Sequence, residues 1–239
     1  MPISGAAIKA LARRLIFSNS PRLFFVTIIF VLLTTTISLV SINLPGTVRG
    51  ADIVARLVDG AAISFAILFT NFRPYGVFFG ILLLLIQPII NFGYRNYCLK
   101  ITNKRKTTFK DLLVGIVLFT KVMTIFFVTT AIILLWSILL IIPGIVVSYK
   151  YRLAYYILLD DPKKSALQCI KESTIIMHGV KLDLFTIDVS FIGWYFLYIT
   201  LILPFPFNII VLLLALWLTP YYGLTQTLFY TERINSITN

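Results

Sequence analysis

The chain alternates between long apolar stretches and short polar segments along most of its length. The apolar stretches lie at residues 23–44, 77–94, 112–142, 145–159, 182–203 and 207–230. Most of them reach the ~20 residues that a helix needs to cross the ~30 Å hydrocarbon layer of a bilayer. The pattern therefore predicts an all-α fold, a polytopic membrane bundle of about six transmembrane helices in a single domain over residues 1–239.

Two amphipathic segments are predicted beside these stretches. Within residues 1–21, one helical face carries the apolar residues Ile8, Leu11, Ala12 and Leu15. The basic residues around the other face are typical of a helix that lies in the membrane interface, but they equally suit the positive flank of the first span. A second, cytoplasmic helix is expected between Asp160-Asp161-Pro162, a helix-start signal, and Gly179, a helix-end signal.

One apolar segment is too short for a span of its own. Residues 61–72 are followed at once by Arg73-Pro74, and a helix of that length rises only about 18 Å. The segment is expected to belong to a kinked span, to dip into the bilayer or to lie at its outer interface. The sequence leaves these three arrangements open.

The composition agrees with the membrane class. The chain has 59% hydrophobic and 13% charged residues, with a mean hydropathy of +0.95. A soluble domain carries roughly 25% charged residues. This deficit of charge favours a multi-pass protein of the cell membrane.

A net charge of +12 is compatible with a nucleic-acid partner. The positions of the charges favour a different explanation. Sixteen of the 21 Lys and Arg fall on one side of the predicted layout: Lys9, Arg13, Arg14, Arg22, Arg95, Lys100, Lys104, Arg105, Lys106, Lys110, Lys121, Lys163, Lys164, Lys171, Lys181 and Arg233. By the positive-inside rule this side is the cytoplasm, with both termini there. We expect anionic lipid head groups at that face and no nucleic acid. Cys98 and Cys169 lie on the same reducing side, so no disulfide is predicted.

A predicted helix break precedes the fourth apolar stretch, and two cations lie within that stretch. Pro143 and Gly144 interrupt the run, because proline removes a backbone donor and glycine allows positive φ. Lys150 and Arg152 follow, and an uncompensated cation inside a membrane costs about 2.5–3.5 kcal/mol on insertion scales. These two residues therefore need a partner or a wet cavity.

The fifth stretch offers the matching anions, Asp183 and Asp188. We expect Arg152 and Asp188 to meet, with Tyr149, Tyr151 and Ser190 supplying hydrogen bonds. Such a cluster is either a polar pocket or relay of the kind that transporters use, or an ion pair that locks two helices together. The second interpretation is favoured.

Several motifs resemble a bacterial family of uncharacterised multi-span proteins, the domain of unknown function 975 family. They are Phe92-Gly93-Tyr94, Phe109, Asp111-Leu112, Leu135-Trp136-Ser137, Ile142-Pro143-Gly144-Ile145, Asp160-Asp161-Pro162, Ser173, Met177, Gly179, Asp183-Leu184-Phe185, Asp188 to Trp194, Pro220-Tyr221 and Phe229-Tyr230. The likeness covers roughly residues 88–232. The resemblance implies a membrane topology and no particular reaction.

Residue types that carry catalysis are scarce. His178 is the only histidine, and the two cysteines are far apart in sequence, so no common zinc site can be assembled. We expect no enzyme activity, cofactor or metal. The sequence favours a non-catalytic integral membrane protein that interacts with lipids or with membrane protein partners of the envelope. The alternative is a small-solute or lipid transporter, or the membrane subunit of a transport system.

Overall fold

The computed structural model describes residues 5–19, 22–43, 74–202 and 209–238, and all regular secondary structure in these ranges is helical. The helices are α1 (Gly5–Asn19), α2 (Arg22–Asn43), α3 (Pro74–Thr102), a 3-10 turn (Phe109–Leu113), α4 (Val114–Val117), α5 (Phe119–Leu139), α6 (Ile141–Lys150), α7 (Ala154–Asp160), α8 (Ala166–Ile176), α9 (Lys181–Ile202) and α10 (Ile209–Thr238). The predicted all-α class is confirmed. Residues 45–60 are polar and nearly charge-balanced, which predicts a loop on the outer side. This predicted loop and the short segment at 61–72 lie outside the described residues.

The chain divides into two compact units, residues 1–31 with 88–239 and residues 32–87. The described residues of the second unit are helical and belong to the end of α2 and the beginning of α3. All of the polar contacts described below lie within the first unit.

Helix α5 is the one described helix that is by itself long and apolar enough to cross a membrane, with a mean hydropathy of 2.4. Only 22% of its most apolar window is buried inside the protein, whereas the core helix of a soluble protein is mostly buried. The helices over Gly5–Ser18 and Arg22–Thr34 pass the same criterion only as a bent pair. The described helices therefore do not confirm six spans.

Helix α1 packs along α10 and also contacts α9. Its buried stripe consists of Ile8, Ala12 and Ile16, residues that recur at every fourth position and so share one narrow helical face. Leu11, which was predicted to lie on the apolar face, is 40% exposed. The face of α1 that is buried against α10 is therefore rotated slightly from the apolar face that the sequence predicted.

Two glycines allow the segment after α3 to fold back onto that helix. A Cβ added at Gly93 would overlap the backbone carbonyl of Leu112. A Cβ at Gly115 would lie 2.5 Å from the carbonyl oxygen of Ile89. Since the obstructing atoms belong to the backbone, only glycine fits at either position.

The break before the fourth apolar stretch occurs at Leu140, earlier than the predicted Pro143-Gly144. Leu140 has extended backbone angles, φ −157° and ψ 137°, and α6 begins at Ile141. Pro143 lies in the first turn of α6, where a missing backbone donor costs no helical hydrogen bond. Gly144 instead permits close packing of α6 on α5, because its Cβ would lie 2.9 Å from the Cα of Ser137.

The surface helix α8 also begins later than predicted. Ser165 is its N-cap: the hydroxyl accepts from the backbone of Gln168 at 3.2 Å, and the Gln168 side chain accepts from the backbone of Ser165 at 2.9 Å. This reciprocal pair satisfies two free donors of the first turn. Asp161 accepts from the backbone N–H of Lys163 at 3.1 Å in the preceding turn. At the other end, Gly179 has φ +80°, as the helix-end prediction requires.

Candidate functional site

The candidate site lies at a second break in the helical chain, between α6 and α7. Helix α6 ends at Lys150, α7 starts at Ala154, and residues 151–153 form the turn between them. Ser173 of α8 bridges this turn and is fully buried. Its hydroxyl donates to the carbonyl of Lys150 at 3.0 Å and accepts from the backbone N–H of Leu153 at 3.2 Å. One side chain thus satisfies a donor and an acceptor that the interrupted helix leaves free.

Arg152 lies in that turn and pairs with Asp188 of α9. The guanidinium nitrogen is 3.2 Å from the carboxylate oxygen Oδ2, with side-chain exposures of 29% and 15%. The hydroxyl of Tyr149 donates to the same oxygen at 2.9 Å. The structure therefore brings together the cation and anion that the sequence paired.

Helix α10 completes the cluster with two side chains that the sequence analysis missed. The amide nitrogen of Gln226 donates to Asp188 Oδ1 at 2.6 Å, and Arg152 donates to the hydroxyl of Tyr222. The polar cluster, defined as Tyr149, Arg152, Asp188, Tyr222 and Gln226, thus joins the α6–α7 turn to both α9 and α10. The run Tyr221-Tyr222-Gly223-Leu224-Thr225-Gln226-Thr227 inside an apolar stretch was the available signal.

One atom of the polar cluster has no partner among the described residues. Gln226 is 4% exposed, and its amide oxygen Oε1 makes no hydrogen bond. The orientation of the amide is fixed, because a carboxylate can only accept and Asp188 must therefore face the NH₂ group. The cluster thus retains the capacity to accept one hydrogen bond from a donor outside the described residues.

The other two charges predicted for this cluster lie elsewhere. The ammonium of Lys150 is 5.8 Å from the ring centre of Tyr151, in a cation–π geometry. Asp183 is exposed in the first turn of α9, where an acid favours the positive end of the helix dipole. The structure thus unites Arg152 and Asp188 and separates Lys150 and Asp183 from them.

Ser190, which was also expected to support the ion pair, serves a different cation. Its hydroxyl accepts a hydrogen bond from the ammonium of Lys9. The same ammonium lies 5.0 Å from the ring centre of Phe191. Helix α1 therefore contributes a positive charge beside the polar cluster, which no pattern in the sequence indicated.

Two cations, from α5 and α10, donate hydrogen bonds to free backbone carbonyls on either side of α8. The ammonium of Lys121 donates to the carbonyls of Pro162 at 2.6 Å and Lys164 at 2.9 Å. Arg233 donates to the carbonyls of Ile176 at 3.0 Å and His178 at 3.3 Å. Cations at these carbonyls satisfy acceptors that helix ends and turns leave free.

Two titratable groups at α8 have shifted pKa values. A hydrogen bond from the Lys164 ammonium to Glu172, at 2.7 Å, raises the pKa of that lysine. Burial raises the pKa of the Cys169 thiol, and the nearby Glu172 adds to the shift. Cys98 and Cys169 are both free and buried, so neither presents a reactive thiolate.

The described residues hold no group of three or more His, Cys, Asp or Glu side chains with the arrangement of a metal site. Comparison with known proteins yields no matching curated protein and no matching solved structure. The earlier motifs Phe92-Gly93-Tyr94 and Asp111-Leu112 precede the segment that a family model matches. That segment, residues 126–237, contains α6 to α9 and the whole polar cluster, and it matches the family described as "Protein of unknown function (DUF975)", as the sequence motifs indicated.

Proposed function

We propose that this chain is an integral membrane protein with six spans and both termini in the cytoplasm, and that it acts without catalysis through contacts with lipids or with other envelope proteins. One observation carries the proposal, namely the apolar surface of the hairpin formed by α5 and α6. Ile138 is 85% exposed, and Ile141 and Ile142 are each 76% exposed. Leaving a side chain of this size in water forgoes about 1.5–3 kcal/mol relative to burial.

Apolar side chains are exposed on all sides of the hairpin tip. A protein partner that packed against one side would leave the others in water. Consecutive residues from Ile138 to Ile142 point in successive directions around the chain, and all of them are exposed and apolar. A helix that is apolar all round belongs in a core or in a bilayer. Because this tip is not in the core of the protein, hydrocarbon is the solvent that suits it.

The partners within the polar cluster favour an architectural role over a chemical one. Both oxygens of Asp188 accept hydrogen bonds from side chains of the same chain, and these come from α6, from the α6–α7 turn and from α10. A catalytic carboxylate needs an oxygen that faces a substrate. The cluster therefore supports a helix lock, and the protein would act through its surfaces.

Transport remains the second candidate, because two features of the polar cluster favour it. The interrupted helix at residues 151–153 resembles the broken helices that line substrate sites in secondary transporters. The amide oxygen of Gln226 accepts nothing within the described chain. A solute that donates a hydrogen bond would satisfy this oxygen.

Impermeant maleimide labelling of single cysteine variants in right-side-out membranes tests the topology. We expect Thr47→Cys, in the predicted outer loop, to react in intact membranes and Ser236→Cys to react only after permeabilisation. The two native thiols are buried, so the unsubstituted chain provides a low background. Reaction of Ser236→Cys in intact membranes would overturn the cytoplasmic placement of the C-terminal end.

Cysteine accessibility scanning across residues 148–152 and 186–190 separates the two candidates. A helix lock predicts no labelling of these positions from either side. A transporter predicts labelling of one face of the scan, and protection by its solute.

A further inference from the structure

The segment between α3 and α5 is held rigidly against α3 by one of its faces. Asp111 is 7% exposed, and its carboxylate accepts from the ammonium of Lys100 at 2.7 Å and from the backbone N–H of Thr108 at 2.8 Å. Asn96 donates to the backbone carbonyl of Asp111 at 3.1 Å. Together with the close backbone contacts at Gly93 and Gly115, these bonds fix which side of the segment faces outward.

The outward side is apolar and largely exposed. Phe109 and Leu113 are each 58% exposed, Ile116 is 60% exposed and Val117 is 82% exposed. Phe109 and Leu113 belong to the 3-10 turn, and Ile116 and Val117 belong to α4. Their exposure places all four on the outward side, and we call these four residues the apolar stripe. The docked residues Asp111 and Gly115 lie between them in sequence and face the other way.

Four cations flank this stripe. Lys104, Arg105, Lys106 and Lys110 are all exposed, and none forms an ion pair with an acid of the described chain. The one acid within the segment, Asp111, is already engaged by Lys100. The segment therefore presents a fixed apolar stripe bordered by uncompensated positive charge.

We propose that residues 103–117 form a binding surface for the anionic phospholipids of the leaflet on that side. The stripe inserts at the boundary between head groups and acyl chains, and the four cations contact lipid phosphates. This inference rests on the proposed membrane function and gives it a defined lipid partner. Each cation near an anionic surface strengthens binding about fivefold.

The apolar stripe distinguishes lipid from the other polyanions that a basic cluster attracts. Nucleic acid is held through phosphate and base contacts by charged and polar groups, which would leave four large apolar side chains in water. A leaflet matches both features at once. The segment also leads directly into α5 at Phe119, the apolar helix best suited to cross the bilayer.

Lipid selectivity can be measured on the full chain in nanodiscs, with a fluorophore at Phe109→Cys. The buried native thiols leave this position as the reactive one. Spin-labelled phosphatidylglycerol or spin-labelled phosphatidylcholine is added at the same mole fraction to the same host bilayer. We expect stronger quenching by the anionic lipid, and we expect Lys104→Gln with Lys106→Gln to lower that excess at least about fivefold.

A matched control removes the same charge elsewhere, by Lys163→Gln with Lys171→Gln, two exposed lysines of the α8 region. This control should leave the excess unchanged. Equal quenching by the two lipids, no quenching by either, or an equal loss in the control would overturn the proposal. A chain that fails to enter nanodiscs and is released from membranes by carbonate would instead overturn the proposed membrane function.

Discussion

Two regions of the molecule differ in the polarity and burial of their side chains. Around Arg152 and Ser173, several helices meet and nearly every polar group has a partner in the same chain. At the tip of the α5–α6 hairpin, Ile138 to Ile142, the side chains are apolar and exposed. The first region makes the fold specific, because its groups fit only each other. The second region indicates that the fold requires an apolar solvent.

The same contrast holds between single closely packed and open positions, where adding one methyl group should be severe in the first case and harmless in the second. Gly93→Ala should lower the free energy of unfolding by about 3 kcal/mol or more, because the new Cβ meets backbone atoms of Leu112 that cannot move aside. Thermal denaturation in a mild detergent measures the loss. Gly193→Ala is the control: nothing lies within 4 Å of its added Cβ, so it should be neutral or slightly stabilising.

Breaking the ion pair should have the next largest effect. Arg152→Gln or Asp188→Asn should each cost about 2–3 kcal/mol, below the 3–5 kcal/mol of a fully buried pair, because the Arg152 side chain is 29% exposed. The double variant should cost less than the sum of the two single variants. Additive losses would show that Arg152 and Asp188 are not coupled.

Ser173→Ala should cost about 1–3 kcal/mol, since it leaves the part-buried carbonyl of Lys150 and the buried N–H of Leu153 without partners at the α6–α7 turn. Chemical unfolding in detergent provides the comparison. Ser148→Ala removes a hydroxyl that bonds only within its own helix, to the carbonyl of Ile145, and should change stability little. Equal effects of the two variants would contradict the bridging role of Ser173.

The smallest effect is expected at the open tip. Ile138→Ala should change stability in detergent by less than about 0.5 kcal/mol, because the side chain touches little of the protein. Ile125→Ala, at a fully buried position of the same helix, should cost about 2–5 kcal/mol. A large loss at Ile138 would mean that another surface covers the tip.

The sequence predicted part of the polar cluster for a sound physical reason. Charges inside apolar stretches need partners, and Arg152 and Asp188 pair as that rule predicts. It also placed Lys150 in this cluster, whereas Lys150 is the last residue of α6 and lies against Tyr151, and Arg152, in the turn at residues 151–153, pairs with Asp188. The sequence did not identify Gln226, whose role depends on how α10 packs beside α9.

Helix boundaries were harder to predict than helices. Pro143 is compatible with both a break and a first helical turn, and the structure uses it in the first turn of α6. Asp160-Asp161-Pro162 and Ser165 both offer capping signals, and the reciprocal bonds with Gln168 favour Ser165. In each case two local solutions were of similar merit. Close packing of α6 on α5 at Gly144 accompanies the first, and the local capping bonds select the second.

The most direct test of the account is the aqueous reactivity of Ile138→Cys in native membranes. If hydrocarbon surrounds the hairpin, the variant stays with the membrane after carbonate extraction and does not react with a water-soluble maleimide until the membrane is dissolved in SDS. Lys171→Cys, on the exposed face of α8, serves as the reactive reference after permeabilisation. Reaction of Ile138→Cys as fast as this reference in undissolved membranes would contradict the claim that hydrocarbon surrounds the hairpin.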